Sequence, residues 1–408
     1  MAFKETIVIR GALAALLLST IFVLYRPVAP PFSSPSILAE ISSDSPGDKE
    51  GEGFSIGMQV KTPIFQYDFY KEHCPPVEKI VRATTAQIFQ QNRNITAQLL
   101  RLMFHDCFIE GCDASILLDN SNGNENQSSE KDATPNRSLN GFDFIDTIKA
   151  ELEDACPGVV SCADTLVLAT RDAIVLAGGP HYPVLTGRTD SKMSYYARAM
   201  ADIPKPDANI SEILRLFSLR GFTPRDVVAL LGAHNIGKIG CEFIEPRLHN
   251  FKGTGEPDAS IPPDFLAEMR KICGDNTSNS SSNSPTSSAA PPMTVTPRAM
   301  TETVTSRSQK GIPYYQQLSS SVSSGSAFGP HYYDSLLRGR GLLYSDQQLM
   351  ANNETVELVR FYATDDGTAF RIDFARAMVK MSNLGNFTSS TQEQVRFKCS
   401  QPWVGDSK

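Results

Sequence analysis

Arg101 and His105 stand four residues apart in Gln98-Leu-Leu-Arg-Leu-Met-Phe-His105, and on a helix that spacing puts both side chains on one face. A fixed cation and a titratable base would then point at the same spot, with Phe104 beside them to keep it apolar and dry. Such a pair can take a proton from one atom of a bound molecule, return it to another and stabilise the charge that develops. On its own, an Arg/His pair on a helix is more often a surface pair. The residues that follow change that weighting. Asp106-Cys-Phe-Ile-Glu-Gly-Cys-Asp-Ala-Ser115 offers the carboxylates of Asp106 and Asp113, a Ser hydroxyl and a Gly-bearing turn, closed into a short ring by Cys107 and Cys112. These are the oxygen ligands a hard cation such as Ca2+ prefers. Outside that frame Asp106 and Asp113 would read as ordinary solvated loop acids.

The elements that position these groups read as helices. Apolar residues recur at helical spacing, as in Val77, Ile80, Val81 and Ile88, and again in Phe142, Ile145, Ile148 and Leu152. Long alternating strand patterns are scarce, so the domain reads as all-α. Thr223-Pro-Arg-Asp226 is a helix start, with Thr at the N-cap and Pro at the first position, and that helix runs to Gly232. His234 follows just past it. Of 6 histidines, His73, His181, His249 and His331 have no chemical framing and read as surface or core residues.

Folded sequence begins near Phe65. Residues 274–326 turn abruptly to Ser, Thr, Asn and Pro, which bury too little apolar area to offset their ordering entropy, and are expected to be a mobile surface insertion. Helical patterning resumes at Tyr332 and includes Asp373 to Met381. No internal repeat is present.

With 41% hydrophobic and 20% charged residues, the 408-residue chain can bury one sizeable core. A net charge of -7 without a basic block argues against nucleic acid as a partner. Lys4 and Arg10 precede an apolar run over residues 11–25, so residues 1–26 read as a secretory signal peptide or a retained signal anchor that tethers the chain to a membrane. Residues 27–62, rich in Pro, Ser, Asp and Gly, read as a low-complexity stem. The 8 cysteines, an even count behind a signal segment, predict four disulfides. No C-x2-C pair supports zinc instead. Sequons at Asn94, Asn126, Asn209, Asn276, Asn279, Asn353 and Asn386 fit a glycosylated, secreted product.

The stretch Leu99 to Asp119 resembles, nearly residue for residue, the distal helix and calcium loop of plant secretory (class III) haem peroxidases. The similarity continues through Ser129-Glu-Lys-Asp-Ala-Thr-Pro-Asn136, Val159-Val-Ser-Cys-Ala-Asp164, Gly178-Gly-Pro180, Asp226-Val-Val-Ala-Leu-Leu-Gly-Ala-His234, Gly341-Leu-Leu-Tyr-Ser-Asp346 and Ala375-Arg-Ala-Met-Val-Lys-Met381. It spans roughly residues 65–403, interrupted by the polar insertion, so a peroxidase domain is expected over 63–403 with a tail at 404–408.

The resemblance implies two helical halves enclosing one haem b. Arg101, Phe104 and His105 resemble the distal triad, and Asn136 the residue that orients the distal His. His234 resembles the axial ligand of haem iron, with Asp346 as the carboxylate that makes its imidazole more basic. The implied distal calcium ligands are Asp106, Ile109 and Gly111 through backbone oxygens, Asp113 and Ser115, with Glu130 joining by a water. The implied disulfides pair Cys74 with Cys156, Cys107 with Cys112, Cys162 with Cys399 and Cys241 with Cys273. The Cys162 to Cys399 link closes the longest loop and, in the chain-entropy model, constrains the unfolded state by roughly 5 kcal/mol. Pro204, in Asp202-Ile-Pro-Lys-Pro206, resembles the turn where aromatic donors dock. The implied reaction reduces hydrogen peroxide and oxidises small phenolic reductants, in a monomer of the extracellular space or cell wall.

The chain departs from the family on the proximal side, where a second calcium usually binds a Thr after the proximal His and a loop ending in Phe-Asp. Here Asn235 follows His234, Gly329 follows Phe328, and the loop positions resemble Ser321 and Ser324. Without those carboxylates only the distal calcium is expected to bind strongly. Tyr182 also stands where the family usually has Trp. A tethered or wall-associated glycoprotein that keeps the fold with little turnover is the alternative. The intact Arg101, His105, Asn136, His234 and Asp346 favour the enzyme.

Overall fold

Thirteen α-helices are present among the described residues, which in this computed structural model are 65–120, 128–273, 311–313, 328–385 and 395–402. The predicted signal segment, stem and tail, the sequons at Asn126, Asn276, Asn279 and Asn386, and Ser321 and Ser324 lie outside them. So does the 274–326 insertion, apart from residues 311–313. Among the described residues no helix is long and apolar enough to cross a membrane.

The first helices are α1 (Val77–Gln91), α2 (Ile95–Glu110), α3 (Phe142–Ala155) and α4 (Cys162–Leu176). Helix α4 packs against α1, α2 and α3. Both α2 and α4 are buried on nearly every side, and α4 buries Asp164, Arg171 and Asp172 along with its apolar residues. Shorter helices α5 (Tyr196–Asp202) and α6 (Ile210–Ser218) lead to α7 (Pro224–Leu231). Thr223 is its N-cap with Pro224 at the first position, as expected, and Asp226 closes a reciprocal box with the Thr223 backbone.

After α8 (Glu245–His249) and α9 (Pro263–Cys273) come α10 (His331–Leu337), α11 (Tyr344–Gln347), α12 (Asn353–Thr364) and α13 (Thr368–Ser382). Helix α13 packs on α7, and α10 on α12, with α13 also touching α2. One large apolar cluster therefore runs through both groups, from Leu99 and Phe108 to Tyr333 and Phe374. Truncating a fully buried aromatic such as Phe108 would cost about 3–5 kcal/mol. A smaller cluster unites Ile239, Ile244, Leu248, Phe265, Met269 and Leu342.

The strand content among the described residues is small: β1 (Lys238–Gly240) pairs antiparallel with β2 (Gly311–Pro313), with Ile239 opposite Ile312. The second strand comes from within the polar insertion. Four disulfides join Cys74–Cys156, Cys107–Cys112, Cys162–Cys399 and Cys241–Cys273, the pairs that the resemblance implies.

Candidate active site

Helix α2 carries Arg101, Phe104 and His105, with Arg101 and Phe104 half-buried and His105 only 5% exposed. Phe104 stacks on Phe217 of α6 with ring centroids 6.0 Å apart, and lies edge-on to the His105 ring. The Arg101 guanidinium donates to the Pro135 and Ser138 carbonyls at 3.0 and 3.1 Å and to the Ser138 hydroxyl at 3.1 Å. The loop 135–138 thus holds the cation on the same face as the imidazole.

That loop also delivers Asn136. Its Oδ1 lies 2.6 Å from His105 Nδ1, and its Nδ2 donates to the Glu130 carbonyl at 2.7 Å. The second bond fixes which way the amide points. Asn136 Oδ1 therefore accepts from His105 Nδ1–H, leaving Nε2 as the basic edge of the ring. Burial first, then the Arg101 charge, push the His105 pKa down to about 3 against the opposing Asn136 bond, so the imidazole is neutral at ordinary pH. The buried Asn136 has both amide atoms engaged, which opposes a glycan at its Asn-Arg-Ser sequon.

Gly111 caps the C-terminus of α2 with a φ of +97° that strains any residue with a side chain, and a Cβ there would lie 2.2 Å from the Gly385 Cα. Asp106 accepts from the Ala114 and Ile116 amides at 3.1 and 3.5 Å, and Asp113 from the Ser115 amide at 3.0 Å. Burial raises Asp106 well above its usual range, and the charges of Asp113 and Glu130 raise it further. Burial likewise lifts Asp113 to about 6 and Glu130 to about 7. The Ser115 hydroxyl lies near both Asp113 and Glu130, yet its Oγ and Glu130 Oε2 are buried without a well-formed hydrogen bond.

Among the described residues, no three His, Cys, Asp or Glu side chains are gathered closely enough to hold a metal by themselves. The oxygens of this loop are of another kind, two side-chain carboxylates supplemented by Ser115 and backbone carbonyls. Mutually repelling buried acids and orphaned oxygens fit a hard cation. Ile109 is buried in the last turn of α2, one residue before the chain turns toward Gly111.

The second histidine lies on the other group of helices. His234 sits in a short 3-10 turn just past α7, where its Nδ1 is 2.7 Å from Asp346 Oδ1. Asp346 is fully buried at the start of α11 and also accepts from the Leu343 amide at 3.1 Å and the Tyr332 hydroxyl at 3.0 Å. With Nδ1 facing the carboxylate, Nε2 on the opposite edge is the atom that would meet an iron.

Pro204 is half-buried beyond α5, and the Pro206 carbonyl accepts from the Ser345 amide at 3.0 Å, tying that turn to the helix that bears Asp346. Two neighbours of the site were not singled out from sequence. Tyr332 shares the Asp346 oxygen used by His234, and His331, which reads as an unframed residue in the sequence, contacts the Asn235 carbonyl. No spacing rule could have found either, because their partners are 14 and 96 residues away.

A family model described as Peroxidase matches residues 81–365. Putative Peroxidase 48 of Arabidopsis thaliana is 42% identical over 362 residues, covering 89% of this chain and 88% of the relative. The chain belongs to the peroxidase family. Peroxidase 23 of the same plant is 38% identical across 81% of this chain and 85% of its own length. Peroxidase 15 of Ipomoea batatas is 37% identical across 82% and 91%. Family, all-α fold and peroxidase activity, each expected from the sequence, are thereby borne out. Nothing in the comparisons favours a peroxidase-fold glycoprotein without turnover.

Proposed function

We propose that the chain is a haem peroxidase that reduces hydrogen peroxide and oxidises small phenolic donors one electron at a time. The observation that carries this reading is the pair of histidines, each engaged through Nδ1, His105 by Asn136 at 2.6 Å and His234 by Asp346 at 2.7 Å. Haem b held by His234 would supply the electrons that cleave the peroxide O–O bond, to be replaced singly by donors.

The chain's own residues would do the rest. Neutral His105 takes a proton from hydrogen peroxide at Nε2 and delivers it to the oxygen that leaves as water. Arg101 stabilises the negative charge that develops, and Phe104 keeps water from the spot. Asp346, 2.7 Å from His234 Nδ1, would make the imidazole a stronger electron donor to iron, which favours O–O cleavage over reversible oxygen binding. Calcium would be held by Asp106, Asp113, Ser115 and the Ile109 and Gly111 carbonyls, with Glu130 joining by a water. Pro204 marks the turn where donors would dock.

Four disulfides support an oxidising compartment, and with the apolar run at 11–25 they support a secreted product of the extracellular space or cell wall, which the sequons mark as a candidate for glycosylation; we take it to be a monomer. Retention of that run would give a membrane-tethered form. The boundaries that go with this reading are a signal segment at 1–26, a stem at 27–62, a peroxidase domain at 63–403 with its insertion at about 274–326, and a tail at 404–408.

The test is the absorption spectrum of the purified luminal part before and after stoichiometric hydrogen peroxide. Rapid change of a ferric haem spectrum, reversed by adding a phenol, is the expected result. A protein that takes up no haem, or whose haem is inert to peroxide, would overturn the reading.

A further inference from the structure

We propose that a direct hydrogen-bond clamp from Gly329 through Asn235 to His331 stands in place of a cation on the proximal side and positions the turn that carries His234. The role given to His234 rests on the peroxidase reading; the clamp itself rests on geometry. Asn235, next to His234, is 1% exposed. Its side-chain Nδ2 donates to the Gly329 carbonyl at 2.9 Å, and its own carbonyl accepts from His331 Nε2 at 2.8 Å. The two bonds bridge 94 and 96 residues of chain, so they join the end of α7 to the start of α10.

This donor set does not suit calcium. A calcium ion gathers 6–8 oxygens, several of them anionic. Among the described residues, Asn235, Gly329 and His331 bring no carboxylate, and the N–H groups of Asn235 and His331 point at the two carbonyls from the side where a cation would need bare oxygens. Asn235 Oδ1 is buried without a hydrogen-bond partner, but a single neutral oxygen beside an amide N–H2 is a poor substitute for a ligand shell.

The clamp has the reach to position the iron-side imidazole. His331 and Tyr332 are consecutive in the first turn of α10. His331 holds the residue after His234, while Tyr332 donates to Asp346, the carboxylate that holds the His234 ring. Pro330, with its fixed φ, precedes that turn and limits the freedom of the Gly329 carbonyl. Asn235 and His331 are thus positioning residues, acting on the imidazole through the backbone of one neighbour.

Backbone hydrogen exchange of residues 234–237 tests this on the full chain as purified, in EGTA and again in calcium. Equally slow exchange in both conditions is expected, and about tenfold faster exchange in His331→Phe and Asn235→Ala that calcium does not reverse. His331→Gln, which keeps an N–H donor, should retain most of the protection. In the reduced haem-loaded protein, the iron–imidazole stretching band should move in His331→Phe and return toward the parent value in His331→Gln. Exchange in the parent that quickens on chelation and recovers with calcium would overturn the proposal, as would variants that exchange like the parent. The chelation comparison needs no variant to fold. A chain that takes up no haem would defeat the peroxidase reading while leaving the exchange result able to decide the clamp.

Discussion

His105 Nδ1 lies 2.6 Å from Asn136 Oδ1, and the same amide donates to the Glu130 carbonyl at 2.7 Å. The base is therefore oriented by a turn whose next residues also anchor Arg101 through Pro135 and Ser138. On the proposed mechanism His105→Leu removes the proton carrier outright and should lower the rate of reaction with hydrogen peroxide by about 10²–10⁴-fold. Asn136→Val keeps the imidazole but frees its orientation, and should cost about 10–100-fold. Stopped-flow spectra of the haem-loaded variants read both, and an unchanged rate in His105→Leu would sink the acid/base assignment.

The same residue sets a pH limit. With its pKa pushed down to about 3, chiefly by burial, His105 stays neutral and basic through the ordinary range. The peroxide rate should be flat from neutral pH down to about 4 and fall only as pH drops through about 3. A fall centred near 6.5, the value of a free imidazole, would show that the ring is not held in the neutral state that its burial implies.

Calcium binding should carry its own pH dependence. In the absence of the ion, burial raises Asp113 to about 6 and Glu130 to about 7, so the ion-free fold prefers these carboxyls protonated. Their contribution to ion-free stability is present near pH 4 and is lost as pH rises through these values, because a raised carboxylate pKa means that the native state binds the extra protons. Calcium at the proposed site would compete for the same oxygens, so its affinity should fall as pH drops from about 7 toward 5. Calorimetric titration at several pH values checks this, and an affinity indifferent to pH would remove the carboxylates from the site.

On the side of the proposed iron ligand, Tyr332 and His234 share one oxygen of Asp346. Tyr332→Phe removes a competing donor and should raise the iron–imidazole stretching frequency, whereas Asp346→Asn should lower it and slow peroxide cleavage by about 10–100-fold. Shifts in the same direction in both variants would contradict this competition.

Two glycines of similar φ separate strain from collision. Gly221→Ala, at φ +77° with nothing within 4 Å of the new Cβ, should cost about 1 kcal/mol for backbone strain alone. Gly111→Ala, at φ +97° with its Cβ 2.2 Å from the Gly385 Cα, should cost more than about 2 kcal/mol and loosen the loop of Asp113. Denaturant midpoints of the two variants measure the difference.

Local sequence determined much of this protein. The four-residue step from Arg101 to His105 and the Thr223 cap with Pro at the first helical position follow from helix periodicity and capping, which act over three or four residues. Ordered motifs added the family, and with it the disulfide pairing and the fold.

What needed tertiary structure lies beyond that reach. The resemblance singles out Asn136, but only the packing of its turn against α2 brings the amide to His105, 31 residues away. Asp346 meets His234 across 112 residues, and His331 meets Asn235 across 96, because α10 and α11 dock beside the end of α7. A hydrogen bond requires its partners within about 3 Å. Composition and spacing state which groups can bond, and the burial of the helices decides which of them meet.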